Sequence, residues 1–193
     1  MPARSNTSRY ALLGLLSLGP RSGYDLKKLI DRSIAHFWSE SFGQIYPILR
    51  RLEAEGLARR RSQRQDGKPD RQVYSLTTKG QEELQRWLEQ PARPEGFRSE
   101  LLLKLFLGAH VSPEVSIRQI RDYRKRQQAR LATYAGIEKR LRTEGAAHPD
   151  LPYWLLTLRH GQRRAAALSR WSDEALTVLH GRRRRAGRRA AAR

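Results

Sequence analysis

Apolar positions change their spacing several times along the first half of the chain, and each change predicts an element. Leu12, Leu13, Leu15 and Leu16 recur at helical intervals and Gly19-Pro20 cannot continue them, which predicts a first helix over about 8–18. Ser22, with Asp25 three residues on, forms a capping pair for a second helix through Leu26, Leu29 and Ile30, whose outer side carries Lys27, Lys28 and Arg32. Past Phe37-Trp38, Ser41 and Gln44 repeat the capping spacing, and Ile45, Ile48, Leu49 and Leu52 keep the helical period as far as Gly56, a natural residue just beyond a helix end. Pro47 inside this third helix cannot donate to Gly43 four residues back, so a bend is expected there. The period then shortens. Residues 57–65 are too polar for a buried helix, Asp66-Gly67 is a turn signal and 72–76 reads as a strand, which predicts a two-stranded hairpin with 66–71 at its tip. Thr77 or Thr78 caps a fourth helix on which Leu84, Trp87 and Leu88 share a face, ending before Pro91.

The Pro- and Gly-containing stretch 91–97 is the natural linker, dividing the chain into 1–90, the linker, a helical region 98–180 and an Arg-rich tail 181–193 expected to be disordered. Three helical patterns follow the linker: a short one over 99–107, a long one opened by Ser112-Pro113, and a third over about 152–180. On the long one Ile117, Ile120, Tyr134, Ile137 and Leu141 mark a single packing face among many charges. On the third, Trp154, Leu158, Gly161, Ala165 and Leu168 lie close to a coiled-coil stripe. Tyr134, Leu141, Trp154, Leu158 and Leu168 are therefore the candidate dimerisation residues. The expected fold is mostly α with a small β-hairpin.

Charge narrows the function. Thirty-nine Lys and Arg stand against 19 Asp and Glu, a formal charge of +20. That suits a polyanion, nucleic acid or an acidic membrane surface, whereas a small anion needs only a few converging cations. The tail supplies seven of those charges, so the basic character does not depend on it. The longest apolar run, 101–107, contains Lys104 and falls short of the roughly 20 residues that span a bilayer. No secretory signal is read at the N-terminus, and the absence of Cys suits a reducing compartment, so a cytoplasmic protein without a membrane partner is expected. The five histidines form no H-x₃-H pair, and no G-x-S-x-G or glycine-rich phosphate pattern occurs. No catalytic residue, metal or cofactor is expected.

Helix, helix, helix, basic hairpin, helix is the order of a winged helix-turn-helix. A helix about 10–12 Å across fits a major groove about 12 Å wide, which makes the third helix the reader of base edges. On it Gln44 is suited to paired hydrogen bonds with adenine, Tyr46 to a phosphate or a thymine methyl, and Arg50 to guanine or the backbone. Lys68 and Arg71 occupy the wing tip, where an adjacent narrow minor groove favours cations. Tyr24 and Lys28, on the second helix, face the same polyanion with the helix's N-terminal amides.

These stretches, L-x-L-L-S-L-G-P-R-S-G-Y-D-L, G-Q-I-Y-P-I-L-R-R-L-E-A-E-G-L and G-K-P-D-R-Q-V-Y-S-L-T-T-K-G, resemble the PadR family of transcriptional regulators over roughly residues 10–90. The helical remainder resembles the dimerisation region of that family's long, phenolic-acid-regulator-like branch. The resemblance implies an N-terminal winged helix-turn-helix and a C-terminal helical dimerisation domain, with DNA contacts at Tyr24, Gln44, Tyr46, Arg50, Lys68 and Arg71. It further implies a homodimer on a palindromic operator, usually repressing and often released by a small aromatic or drug-like effector. This wing departs from the usual pattern in having Asp70 after Pro69. A basic architectural protein coating DNA without sequence preference is the alternative that charge alone would allow.

Overall fold

The computed structural model describes residues 3–65, 68–94 and 96–191, with the side chains of 7–64, 70–94 and 96–184. The chain separates into two compact units, Met1–Pro94 and Glu95–Arg193, so the boundary falls inside the predicted linker.

The first unit runs α1 (Ala3–Ser17), β1 (Arg21–Ser22), α2 (Gly23–Ser33), α3 (Phe42–Ala54), β2 (Ala58–Gln65), β3 (Lys68–Leu76) and α4 (Thr78–Leu88). α1 begins earlier than its periodicity suggested, because the added residues precede the first apolar position and leave no mark in the pattern. The hairpin is a three-stranded antiparallel sheet in the order β1-β3-β2. β1 escaped the sequence reading because two residues, Arg21 and Ser22 paired with Tyr74 and Val73, are too few to show alternation. Gln65 pairs with Lys68, so β3 starts sooner than predicted and Arg71 lies within the strand instead of at its tip. The turn residues Asp66 and Gly67 lie outside the described residues.

Leu12, Leu13, Leu16, Leu26, Ile30, Ile45, Leu49 and Leu52, from α1, α2 and α3, interlock with Leu57, Tyr74 and Leu84 in one core. Burying side chains of this size contributes about 1.5–3 kcal/mol each and fixes which side of α3 faces out. α4 meets the root of β2 at Gly80, where a Cβ would stand 2.1 Å from the carbonyl oxygen of Leu57, so only glycine allows the approach. The same turn is capped by Thr77, whose hydroxyl accepts from the Gly80 amide at 3.0 Å.

The second unit comprises α5 (Glu100–Phe106), a short 3₁₀ turn (Gly108–His110), α6 (Pro113–Glu144) and α7 (Leu151–Ala191). Tyr134 and Ile137 pack on Leu155, Leu158 and Ala165, while Ile117 and Ile120 pack on Leu176. The early part of α6 thus meets the late part of α7, and the two form an antiparallel hairpin. Arg124 to Asp173 at 2.8 Å and the Gln162 amide to Glu138 at 2.9 Å tie the same pair of helices. α7 continues through the Arg-rich segment to Ala191 where a disordered tail was expected: alanine and arginine are both strong helix formers, and a chain already helical extends without a new nucleus.

Candidate nucleic-acid interface

α3 is amphipathic because Ile45, Leu49 and Leu52 recur at four and three residues, and all three are fully buried. Gln44, Tyr46, Pro47, Arg50 and Arg51 are exposed away from that stripe, and Phe42 is exposed at the helix start, ahead of Leu49 on the same side. The helix runs unbroken through Pro47. The hydrogen bond that Pro47 cannot make would have gone to Gly43, an exposed residue whose carbonyl water can satisfy.

Ser41 caps α3. Its amide donates to Gln44 Oε1 at 3.0 Å, and its hydroxyl donates to the same oxygen at 3.0 Å. The side chain predicted to read adenine therefore has its acceptor engaged in the cap. Paired hydrogen bonding to an adenine edge needs that acceptor as well as the amide donor, so it requires the cap to open.

Beside α3 the start of α2 presents Tyr24, which is exposed, with Lys28 Nζ 4.5 Å from its ring centroid. Tyr24 and Phe42 stack at 6.3 Å and Phe42 and Tyr46 at 6.4 Å, so the two helix starts share one aromatic surface. Phe42 was missed by the sequence reading, and its only signal was an aromatic side chain immediately after the capping serine of an otherwise polar outer face.

Arg71 differs from its prediction. It ion-pairs with Asp25 and donates to Ser22 Oγ at 3.1 Å, stitching β3 to the capped first turn of α2. The guanidinium holds the root of the wing instead of reaching out from its tip. The Lys68 side chain lies outside the described ones. Arg59 and Arg61, on alternate positions of β2, line an open cavity of about 560 Å³ with Pro20, Ser75 and Thr77, whereas Arg60 pairs with Glu53 at 3.1 Å. Among the described residues there is no group of three His, Cys, Asp or Glu that could hold a metal ion, and no helix is long and apolar enough to cross a membrane.

In the second unit the named dimerisation residues fall differently. Tyr134 and Leu158 are 5% and 1% exposed within a single chain and Leu141 packs against their cluster, so the helical hairpin itself accounts for their periodicity. Trp154 lies against His148, with ring centroids 4.3 Å apart. Leu168 lines a cavity of about 390 Å³ with Leu101, Tyr123, Trp171 and the cations Arg98 and Arg164. Open apolar side chains among the described residues of this unit include Leu103, Phe106 and Leu107 of the α5 segment and Tyr153, Leu156 and Val178 of α7.

Known proteins match this chain over nearly its whole length. Residues 12–86 match the model of the transcriptional regulator PadR-like family, and residues 97–180 match that of the virulence activator alpha C-terminal region. The negative transcriptional regulator PadR of Bacillus subtilis is 30% identical over 177 residues, which cover 89% of this chain and 96% of that protein. The crystal structure of Bacillus subtilis PadR in complex with operator DNA superposes with a TM-score of 0.79 at 29% identity, covering 90% of this chain and 99% of the other. Bacillus subtilis PadR in complex with p-coumaric acid gives 0.73 at 26% identity, covering 93% and 99%. The capped outward helix, the basic three-stranded wing and the helical second unit are thus matched together along one chain, which belongs to the PadR-like family of transcriptional regulators and is not an enzyme.

Proposed function

We propose that this regulator binds a palindromic operator as a homodimer, represses from it, and is released by a small aromatic effector. The observation that carries the reading is the exposed side of α3, where Gln44, Tyr46 and Arg50 project from a helix anchored by three fully buried side chains. That side fits a major groove, and the start of α2, with Tyr24 and Lys28, lies where a phosphate would pass. Arg59 and Arg61 supply positive charge along the wing, Lys68 is assigned to its tip, and Arg71 acts by fixing the wing's root. The similar Bacillus subtilis PadR, solved in complex with operator DNA, supports DNA as the partner.

The dimer is supported by apolar surface that a lone chain leaves wet: Phe106 is 86% exposed and Leu103 59%. A second copy that covers α5 removes that surface from water. The effector reading is supported by the cavity of about 390 Å³, within the range of small-molecule sites, whose aromatic walls Tyr123 and Trp171 stand near two guanidinium groups. A planar ligand bearing an acid suits that lining, in keeping with the p-coumaric acid complex of the similar protein.

Competition between an operator recovered from genomic fragments and random duplex tests the reading. Preference of at least about 10³ at physiological salt is expected of a regulator, while equal affinity would favour a coating protein.

A further inference from the structure

Tyr24, Phe42 and Tyr46 present three nearly parallel rings across the starts of α2 and α3. The first pair are inclined by 6° and the second by 21°. All three are open to solvent, at 51%, 43% and 42%. Each residue is about half-buried at the helix starts and leaves the remainder of its ring open to a partner.

The row is held at both ends. The Tyr46 ring lies so close over the first turn of α2 that a Cβ on Gly23 would stand 2.7 Å from its Cε1. At the other end Lys28 sits over Tyr24. The central ring is therefore fixed by its neighbours without a bond of its own. It also differs from them in kind: the flanking tyrosines end in hydroxyls that suit phosphate or water, and Phe42 carries only carbon and hydrogen.

In the major groove the carbon-only feature that varies with sequence is the C5-methyl group of thymine. We propose that Phe42 is a specificity-determining residue that reads thymine methyl groups, clamped in place by Tyr24 and Tyr46. This rests on the reading that α3 enters the major groove. Phe42 opens that helix, one turn ahead of Tyr46, and its contact needs no change in the Ser41 cap that engages Gln44.

The test uses full-length protein and duplexes recovered from a random-sequence pool by repeated binding. Each is synthesised with thymidine, or with deoxyuridine in place of one thymine at a time, which removes only the methyl group. Burying one methyl is worth about fourfold in affinity, so wild-type protein is expected to bind roughly fourfold more weakly when one particular thymine of a half-site becomes uracil, and about 16-fold more weakly when its counterpart in the other half-site is replaced as well. Phe42→Ala should bind the two duplexes equally, at about the wild-type affinity for the uracil form, and Phe42→Leu should keep part of the difference. Unchanged circular dichroism is expected of both variants, as the ring is exposed. A Phe42→Ala protein that retains the full uracil penalty, or wild-type protein indifferent to every replacement, overturns the role of Phe42 and leaves the groove reading standing. Failure to enrich any duplex overturns both.

Discussion

The two units treat apolar surface in opposite ways. In the first, the aliphatic side chains of α1, α2 and α3 are spent on a core that closes within the unit, and Tyr24, Phe42 and Tyr46 are left open beside polar and basic groups. In the second, α6 and α7 close a narrower seam, and aliphatic as well as aromatic side chains stay exposed along α5 and α7. A surface of rings and cations suits a polyanion, and one of leucines and phenylalanine suits another protein surface. The difference separates the surface proposed to meet DNA from the one proposed to meet a second copy, without appeal to any relative.

Substitutions sharpen or break that contrast. The largest effect is expected from Leu49→Ala, which empties a fully buried site in the first core and should lower its unfolding free energy by about 2–5 kcal/mol in a denaturant titration. Leu103→Ala, at an exposed site, should leave the stability of an isolated chain within about 0.5 kcal/mol. Next, Phe106→Asp should shift sedimentation to the monomer at concentrations where the parent is dimeric, and Tyr24→Asp should leave assembly alone while weakening duplex binding. Were Phe106→Asp to sediment as the parent does, the partner surface would have to be placed elsewhere. Ser22→Ala removes half of the α2 capping box and an acceptor for Arg71, and a loss of about 0.5–2 kcal/mol is expected in the same titration. The smallest effect concerns alkaline stability. Burial first, and then the 2.9 Å hydrogen bond to Glu83, raise the Tyr10 pKa above its ordinary value near 10. Its contribution is therefore complete below about pH 10 and lost as pH rises through the folded value, so Tyr10→Phe should flatten the alkaline limb of a pH–stability curve.

Most elements were legible because their signals are local. The Ser22–Asp25 and Ser41–Gln44 boxes fixed two helix starts, and both form as predicted. Gly56, with a φ of 71°, ends α3 where a left-handed residue is required. What escaped notice depends on residues far apart in the chain. β1 exists only because β3 supplies partners for Arg21 and Ser22. The arginine expected at the wing tip is claimed by Asp25, 46 positions earlier, and no spacing rule reveals that pair. Tyr134 and Leu158 carry a seam periodicity that an intramolecular hairpin and an intermolecular coil share, so the pattern alone did not say which one it encoded.

The engagement of Gln44 with Ser41 has a further consequence. A carbonyl that fastens its own helix must let go before it can pair with an adenine edge, and each release leaves the Ser41 amide and hydroxyl looking for another acceptor. A phosphate at that turn would take them over, so letting go becomes cheap only once the duplex is seated. Every duplex carries such a phosphate, so under the proposed reading the latch answers to seating, and base preference arises afterwards from what the freed glutamine amide meets in the groove.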